Sequence, residues 1–217
     1  GTYSYLTSNA VGCDSLAVLH LTILICNSYA TIHLNLQGYY NNATHLMTPV
    51  LNTQLSDTSL AYVDSITIEL HDPITKALVE SAHGLLNVTG LASLTFSPIN
   101  GNYYIVVKHR NTIETWSSLP VAFSAGGTTD YSFTSNASQA LGDNMIEVES
   151  GVWALYSGDL NTDGNIDITD YSLWETDYNN LETGYIPADI NGDGNVDISD
   201  YTIWESNYNN LINAVIP

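Results

Sequence analysis

Residues 159–170 read DLNTDGNIDITD, and thirty residues later 189–200 read DINGDGNVDISD. The likeness continues through YSLWETDYNNL (171–181) and YTIWESNYNNL (201–211), so the pair is an internal duplication. Each copy carries oxygen-bearing side chains at positions 1, 3 and 5: Asp159, Asn161 and Asp163 in the first, Asp189, Asn191 and Asp193 in the second. Gly164 or Gly194 at position 6 permits a sharp turn, and Asn165 or Asn195 at position 7 offers a backbone carbonyl. Asp167 or Asp197 at position 9 can act through water, and Asp170 or Asp200 at position 12 adds a last carboxylate. Ca2+ takes roughly six to eight hard oxygens. Each loop offers that set, so two Ca2+ ions are expected. Ile166 and Val196, at position 8, are placed for a short sheet contact between the paired loops. Without ions the clustered carboxylates repel one another, and the loops are expected to loosen.

Asp at position 12 and the lack of a clear helix ahead of the first loop are features of dockerins, and residues 158–217 resemble a dockerin-type tandem calcium module. In cohesin-binding dockerins, hydroxyl residues at loop positions 10 and 11 and basic residues along the helix carry the contact. Here those positions hold Ile168-Thr169 and Ile198-Ser199, and the helices have no Lys or Arg, a departure from that pattern. Trp174 and Trp204 stand at equivalent places after the two loops, with Tyr171 and Tyr201 three residues earlier on the same helical face. They are expected to be the core that joins the two half-modules; a ligand platform is the other reading.

The chain carries 23 acidic residues against Lys76, Lys108 and Arg110, a formal charge of -20. Nucleic acid and anionic membrane surfaces need clustered cations, which excludes both as partners. The most apolar run, Leu16 to Cys26, is interrupted by His20 and Thr22 and is about half the ~20 residues a membrane helix requires. No membrane insertion is expected. Nor does Gly1 open a leader pattern, so a secretion signal is expected to have been removed or to lie outside this sequence.

From about residue 29 to 150, short alternating segments rich in Thr, Tyr, Val and Ile are bounded by Gly, Asn, Pro and Ser, the pattern of an antiparallel sandwich. Strands are predicted at Ala30 to Leu36, Ser65 to Leu70, Ala92 to Phe96, Tyr103 to Lys108 and Asp130 to Phe133, with no helix among them. The run 101–108, GNYYIVVK, is similar to the closing hairpin of prealbumin-like or Ig-like surface modules. The fold class expected is therefore mainly β: an Ig-like or prealbumin-like antiparallel β-sandwich with an N-terminal β extension and a small C-terminal dockerin-like calcium module. The expected division is 1–28 for the extension, 29–152 for the sandwich and 153–217 for the module.

Residues 1–23, GTYSYLTSNAVGCDSLAVLHLTI, resemble the last two strands of Ig-like repeats in secreted and surface proteins of Bacteroidota. In the second strand Ala17, Leu19, Leu21, Ile23 and Ile25 share one face, and Leu16, Val18 and Leu24 sit on the other. A strand apolar on both faces needs cover. It folds back on the sandwich, completes a neighbour's sheet by strand addition, or marks a boundary truncation. If residues 13–26 form one extended strand, Cys13 and Cys26 lie roughly 40 Å apart at ~3.3 Å per residue and cannot bridge each other. Pairing with another copy, a hairpin that joins them, or two free thiols are the alternatives.

The segments LNLQGYY (34–40), SITIELHD (65–72), YYIVVKHRNTIETWSS (103–118) and the loop pair together resemble the C-terminal region of large Bacteroidota surface proteins, where a sandwich precedes a dockerin-like pair. The resemblance implies a secreted, cell-surface structural or adhesive role. Asp-Ser-Leu and Asp-Ser-Ile resemble O-glycosylation sites of that group on Ser15 and Ser65, and Asn42, Asn87 and Asn136 open N-linked sequons.

The six histidines show no metal-binding spacing, and no nucleophile elbow, phosphate loop or dinucleotide fingerprint is present. The cluster Lys108-His109-Arg110 is expected on the rim of the sandwich. The expected function is a non-catalytic, calcium-stabilised extracellular structural protein, a homo-oligomer or fibre subunit joined through its N-terminal strands. A scaffold-docking or carbohydrate-binding module is the alternative, with Trp116 and Trp153 as stacking candidates for glycans.

Overall fold

The computed structural model describes residues 2–8, 11, 12, 14–20, 26–55 and 62–217, and within 2–20 the side chains of Thr2, Ser4, Tyr5, Val11 and Val18. The chain is mainly β, with several sheets. The alternation in β6 (Tyr62–His71) buries Ile66, Ile68 and Leu70 on one face and turns Ser65, Thr67 and Glu69 to the other. Its partner β9 (Gly101–His109) is buried on both faces. Ile105 and Val107 join the main core, while Tyr104 and Val106 meet Trp116 in a smaller cluster on the far side. Hydrogen bonding orders this sheet β10 (Thr112–Trp116), β9, β6, β7 (Leu78–Asn87), with β11 (Val121–Phe123) also on β9.

A second sheet of three strands places β3 (Ser28–His33) between β8 (Leu91–Phe96), antiparallel, and β12 (Thr128–Ser132), parallel. Ala30 and Ile32 of β3 and Ala92, Leu94 and Phe96 of β8 face the same core as the inward residues of β6 and β9. Two minor hairpins, β4 (Tyr40–Asn41) with β5 (Leu46–Met47) and β13 (Ile146–Glu149) with β14 (Val152–Ala154), flank them. Leu155 bridges Leu36 and lies in this core, so the β-rich part extends past residue 152.

Each predicted strand falls on an observed one. The edge strand β7, short strands β10 and β11, and the one-and-a-half-turn helix α1 (Val50–Leu55) were not predicted. In β7 the sequence LVESAHGLLN interleaves polar residues with exposed Leu78, Val79 and Leu85, so no clean alternation of buried and exposed positions marks it.

At the N-terminus β1 (Thr2–Ser8) pairs antiparallel with β2 (Asp14–His20) from Thr2 opposite His20 to Ser8 opposite Asp14. These two strands form their own sheet. Val18 is 46% and Tyr5 71% exposed, so this ribbon has large apolar side chains facing water. Cys26 is an exposed free thiol. Cys13, Leu21, Ile23 and Ile25, and the side chains of Ser15, Leu16 and Leu19, lie outside the described residues. Among the described residues no helix is long and apolar enough to cross a membrane.

Candidate metal centres and the seam beside them

In the first loop the side-chain oxygens fold inward on a frame of backbone amides. Asp159 accepts from Asp163 N at 3.1 Å and Gly164 N at 3.0 Å. Asn161 Oδ1 accepts from Asp163 N and Asp163 Oδ1 from Asn165 N, both at 2.9 Å. Asp170 Oδ1 accepts from Leu160 N at 2.7 Å and Asn161 N at 3.2 Å, while its Oδ2 takes Asp167 N at 2.9 Å. The same bonds recur thirty residues later around Asp189, Asn191, Asp193 and Asp200. Gly164 and Gly194 have φ of 86° and 91°, the left-handed conformation the tight turn demands.

Position 9 then starts a helix. Asp167 caps α2 (Ile168–Asn179) and Asp197 caps α3 (Ile198–Asn209), each reciprocated by the carboxylate three residues on in a capping box. One carboxylate at position 12 thus serves helix start and loop closure together.

This frame leaves charge unresolved. Asp159, Asp170, Asp189 and Asp200 are buried, and among the described residues none of the loop carboxylates forms an ion pair. Burial, reinforced by Asp170 and Asp163, pushes Asp159 up to about 7; burial, reinforced by Asp189, does the same to Asp200. Burial raises all four above the ordinary carboxylate range despite the amide donors, and a cation held among them would relieve that cost. Each accepting oxygen keeps lone-pair capacity, so carboxylates, the position 3 amide and the position 7 carbonyl can present a mixed oxygen set to a hard cation. Among the described residues no group of three or more His, Cys, Asp or Glu side chains could hold a metal by itself. Amide and carbonyl oxygens would have to complete either loop.

The expected pairing of loop with loop through Ile166 and Val196 is not what forms. Ile166 N donates to Ile212 O at 3.1 Å, and Ala214 N to Gly164 O at 2.7 Å. Gly184 N donates to Gly194 O at 2.8 Å, the equivalent bond thirty residues away. Each loop therefore pairs with the segment leaving the other repeat's helix, which turns the repeats into a reciprocal clasp. Ile166 and Val196 instead enter a shared core with Trp174 and Trp204. Tyr171 lies 5.3 Å from Trp204 and Tyr201 5.1 Å from Trp174, while Tyr178 and Tyr208 stack on Trp174 and Trp204 at 4.9 and 4.8 Å. The tryptophans are packing residues, at 5% and 3% exposure.

The loops rest on the β-rich part through a buried polar seam that the sequence did not reveal. Arg110 and Asn111 are the turn between β9 and β10, so the tip of that hairpin reaches the segment entering the second loop. Arg110 Nε donates to Asp64 Oδ2 at 2.9 Å, its other nitrogens donate to Ile186 O and Tyr39 Oη, and its plane lies 4.3 Å from the Tyr185 ring. Asn111 Nδ2 donates to the carbonyls of Pro187 and Asp189, each at 3.2 Å. His109 Nε2 is 3.1 Å from Asp64 Oδ2, with both side chains fully buried. The rim position expected for the cationic cluster holds only for Lys108, which pairs with Glu114 at 3.0 Å and Glu69 at 3.5 Å. Asp64 drew the other two inward.

The remaining candidates are dispersed. Ser65, Asn42 and Asn136 are exposed and Asn87 is half-buried, its Oδ1 closing the turn to Leu91. Trp116 is buried against Tyr104 and His71 and offers no stacking face, and Trp153 packs on the main core.

No family model matches this chain, and no curated protein matches it. Two crystal structures of a type II Cohesin-X-Dockerin complex from Acetivibrio cellulolyticus, an N-terminal and a C-terminal interface mutant, are similar at 13% identity and a TM-score of 0.48, over 83% of this chain and 95% of the matched one. A likeness at that level bears on neither site nor partner.

Proposed function

We propose that the chain is a non-catalytic, calcium-stabilised structural protein of the extracellular surface, in which two Ca2+ ions lock the duplicated loops into a clasp. The observation that carries this reading is the repeated frame of inward oxygens around four buried carboxylates without ion-pair partners. Calcium supplies the missing positive charge, and a dockerin-type tandem module is the class of architecture that uses loops this way. Isothermal titration of metal-free protein is expected to give two Ca2+ per chain; a flat titration would sink the reading.

Assembly into a fibre through residues 1–26 is the role this reading assigns to the N-terminus. The ribbon of β1 and β2 is a two-stranded sheet of its own and exposes Tyr5 and Val18, and two strands alone are marginal in water. Copies of the same chain are the natural partner, joined by strand addition.

A second reading, docking to a scaffold partner, is favoured by matched exposure on the two repeats. Ile168 and Ile198 are 58% and 62% exposed, and Leu181 and Leu211 are 82% and 77%. Repeated apolar positions on a pseudo-symmetric face could serve one partner in two orientations. Calcium-dependent capture by a cohesin panel, lost in the Ile168→Asp and Ile198→Asp double variant, would favour this reading over the first.

A further inference from the structure

The two loops share one frame but not one environment. Asp159, at position 1 of the first loop, accepts from backbone amides alone and borders an open polar pocket of about 240 Å3 with Lys108, Thr112 and Glu114. Asp189, its counterpart, accepts the same two amides and also the side-chain amide of Gln54, delivered from α1 in the β-rich part. The Gln54 carboxamide sits over the position 6 glycine, its Nε2 3.6 Å from where a Cβ on Gly194 would stand. Its Oε1 is buried and has no hydrogen-bond partner. A buried amide oxygen left unpaired costs stability, and such an oxygen is the atom a hard cation or its bound water takes up.

Backbone fit separates the loops as well. Position 4 is Thr162 in the first and Gly192 in the second. A Cβ on Gly192 would lie 2.5 Å from Val50 and 2.9 Å from Tyr39, so only glycine lets the second loop seat against α1.

We infer that Gln54 is a positioning residue of the second cation site, orienting the Asp189 carboxylate and making that site alone bridge the two parts of the chain. The inference rests on the calcium reading proposed above. Residues that orient a ligand carboxylate typically change metal affinity about 10- to 100-fold when removed. Binding and seating are then linked: the ion in the second loop tightens the seam, and a broken seam weakens that ion.

The test is calcium titration calorimetry on the whole chain with Gln54→Met, which keeps length and helix preference while removing both polar atoms. Asp163→Ala and Asp193→Ala, each at an exposed position 5, remove one loop at a time. With Asp163→Ala, adding Gln54→Met is expected to weaken the remaining site about 10-fold or more. With Asp193→Ala, adding Gln54→Met should leave the remaining site unchanged. Equal weakening of both sites, or of neither, would overturn the assignment of Gln54 while leaving two-ion binding by the unaltered chain intact. An unaltered chain that binds no calcium would instead remove the calcium reading and this inference together. Thermal unfolding in chelator provides a fold control: a Gln54→Met chain that matches the unaltered one there but gains less from calcium supports the inference, and equal gain overturns it.

Discussion

Asp64 gathers four hydrogen-bond donors, from Ser65 N, Tyr39, Arg110 and Tyr185, in a site with no solvent exposure. Burial alone would raise its pKa, but His109, Arg110 and Tyr185 outweigh it and hold the carboxyl well below its ordinary range. Replacing it by Asn strands the Arg110 charge at the seam. The cost expected for breaking such a pair is about 3–5 kcal/mol, a fall in Tm on the order of 10 °C in a chain of this size, measurable by calorimetry. His109 responds differently. Burial holds it neutral, below the usual histidine value, despite Asp64. The unfolded chain therefore takes up a proton near pH 6.5 that the folded chain refuses, and stability falls as pH drops below that point. Asp64 adds a loss of the same sign only at lower pH. Comparing unfolding at pH 7.5 and 5.5, His109→Gln should lose less stability than the unaltered chain; equal losses would refute the assignment. Loop residues were legible because their roles depend on spacing within twelve positions. This network was not, because Asp64, His109 and Tyr185 come from segments far apart in sequence, and nothing local marks as buried the aspartate just ahead of the alternating run SITIEL (65–70).

At the scale of elements, the strands of alternating Ile, Leu and Val were readable because one face is buried and one is wet. Strands β7, β10 and β11, and α1, carried too short or too mixed a pattern. The pairing of the loops was misread for a related reason. Position 8 side chains are apolar in either arrangement, and only tertiary placement decides whether they meet each other or enter the Trp174 and Trp204 core. That core is the element-scale determinant of the clasp. Trp174→Ala is expected to cost about 3–5 kcal/mol by leaving a cavity among Tyr171, Tyr178 and Tyr201. Gly192→Ala tests the seating of the second loop. Its added methyl meets Val50 and Tyr39 in a left-handed backbone position, whereas Thr162, at φ 56°, is exposed. The glycine change should destabilise by about 1–3 kcal/mol and Thr162→Ala by less than about 0.5 kcal/mol, both read from urea unfolding midpoints.

Across the whole molecule, the main core and the clasp are joined by the β9 to β10 turn, by Ile113 of β10 in the clasp core, and by Asn207, whose amide donates to Gln37 and to Ser157 O. A ligand of the folded clasp therefore stabilises more than the clasp. Calcium at a hundredfold its dissociation constant adds about 2.7 kcal/mol per site, so chelation is expected to lower Tm by roughly 10–20 °C in a chain of this length. The proposed fibre makes a separate demand, because the proposed calcium loops lie at one end of the sequence and the proposed assembly strands at the other. Removing residues 1–26 spares every residue of the loops and both shared cores, so calcium binding and the calcium-dependent Tm should persist in the truncated chain. Assembly should not: under conditions where the whole 217-residue chain forms extended particles by negative-stain microscopy, the truncated chain should run as a monomer in light scattering. Fibres from the truncated chain, or monodisperse monomers of the whole chain in calcium, would each place assembly elsewhere or remove it.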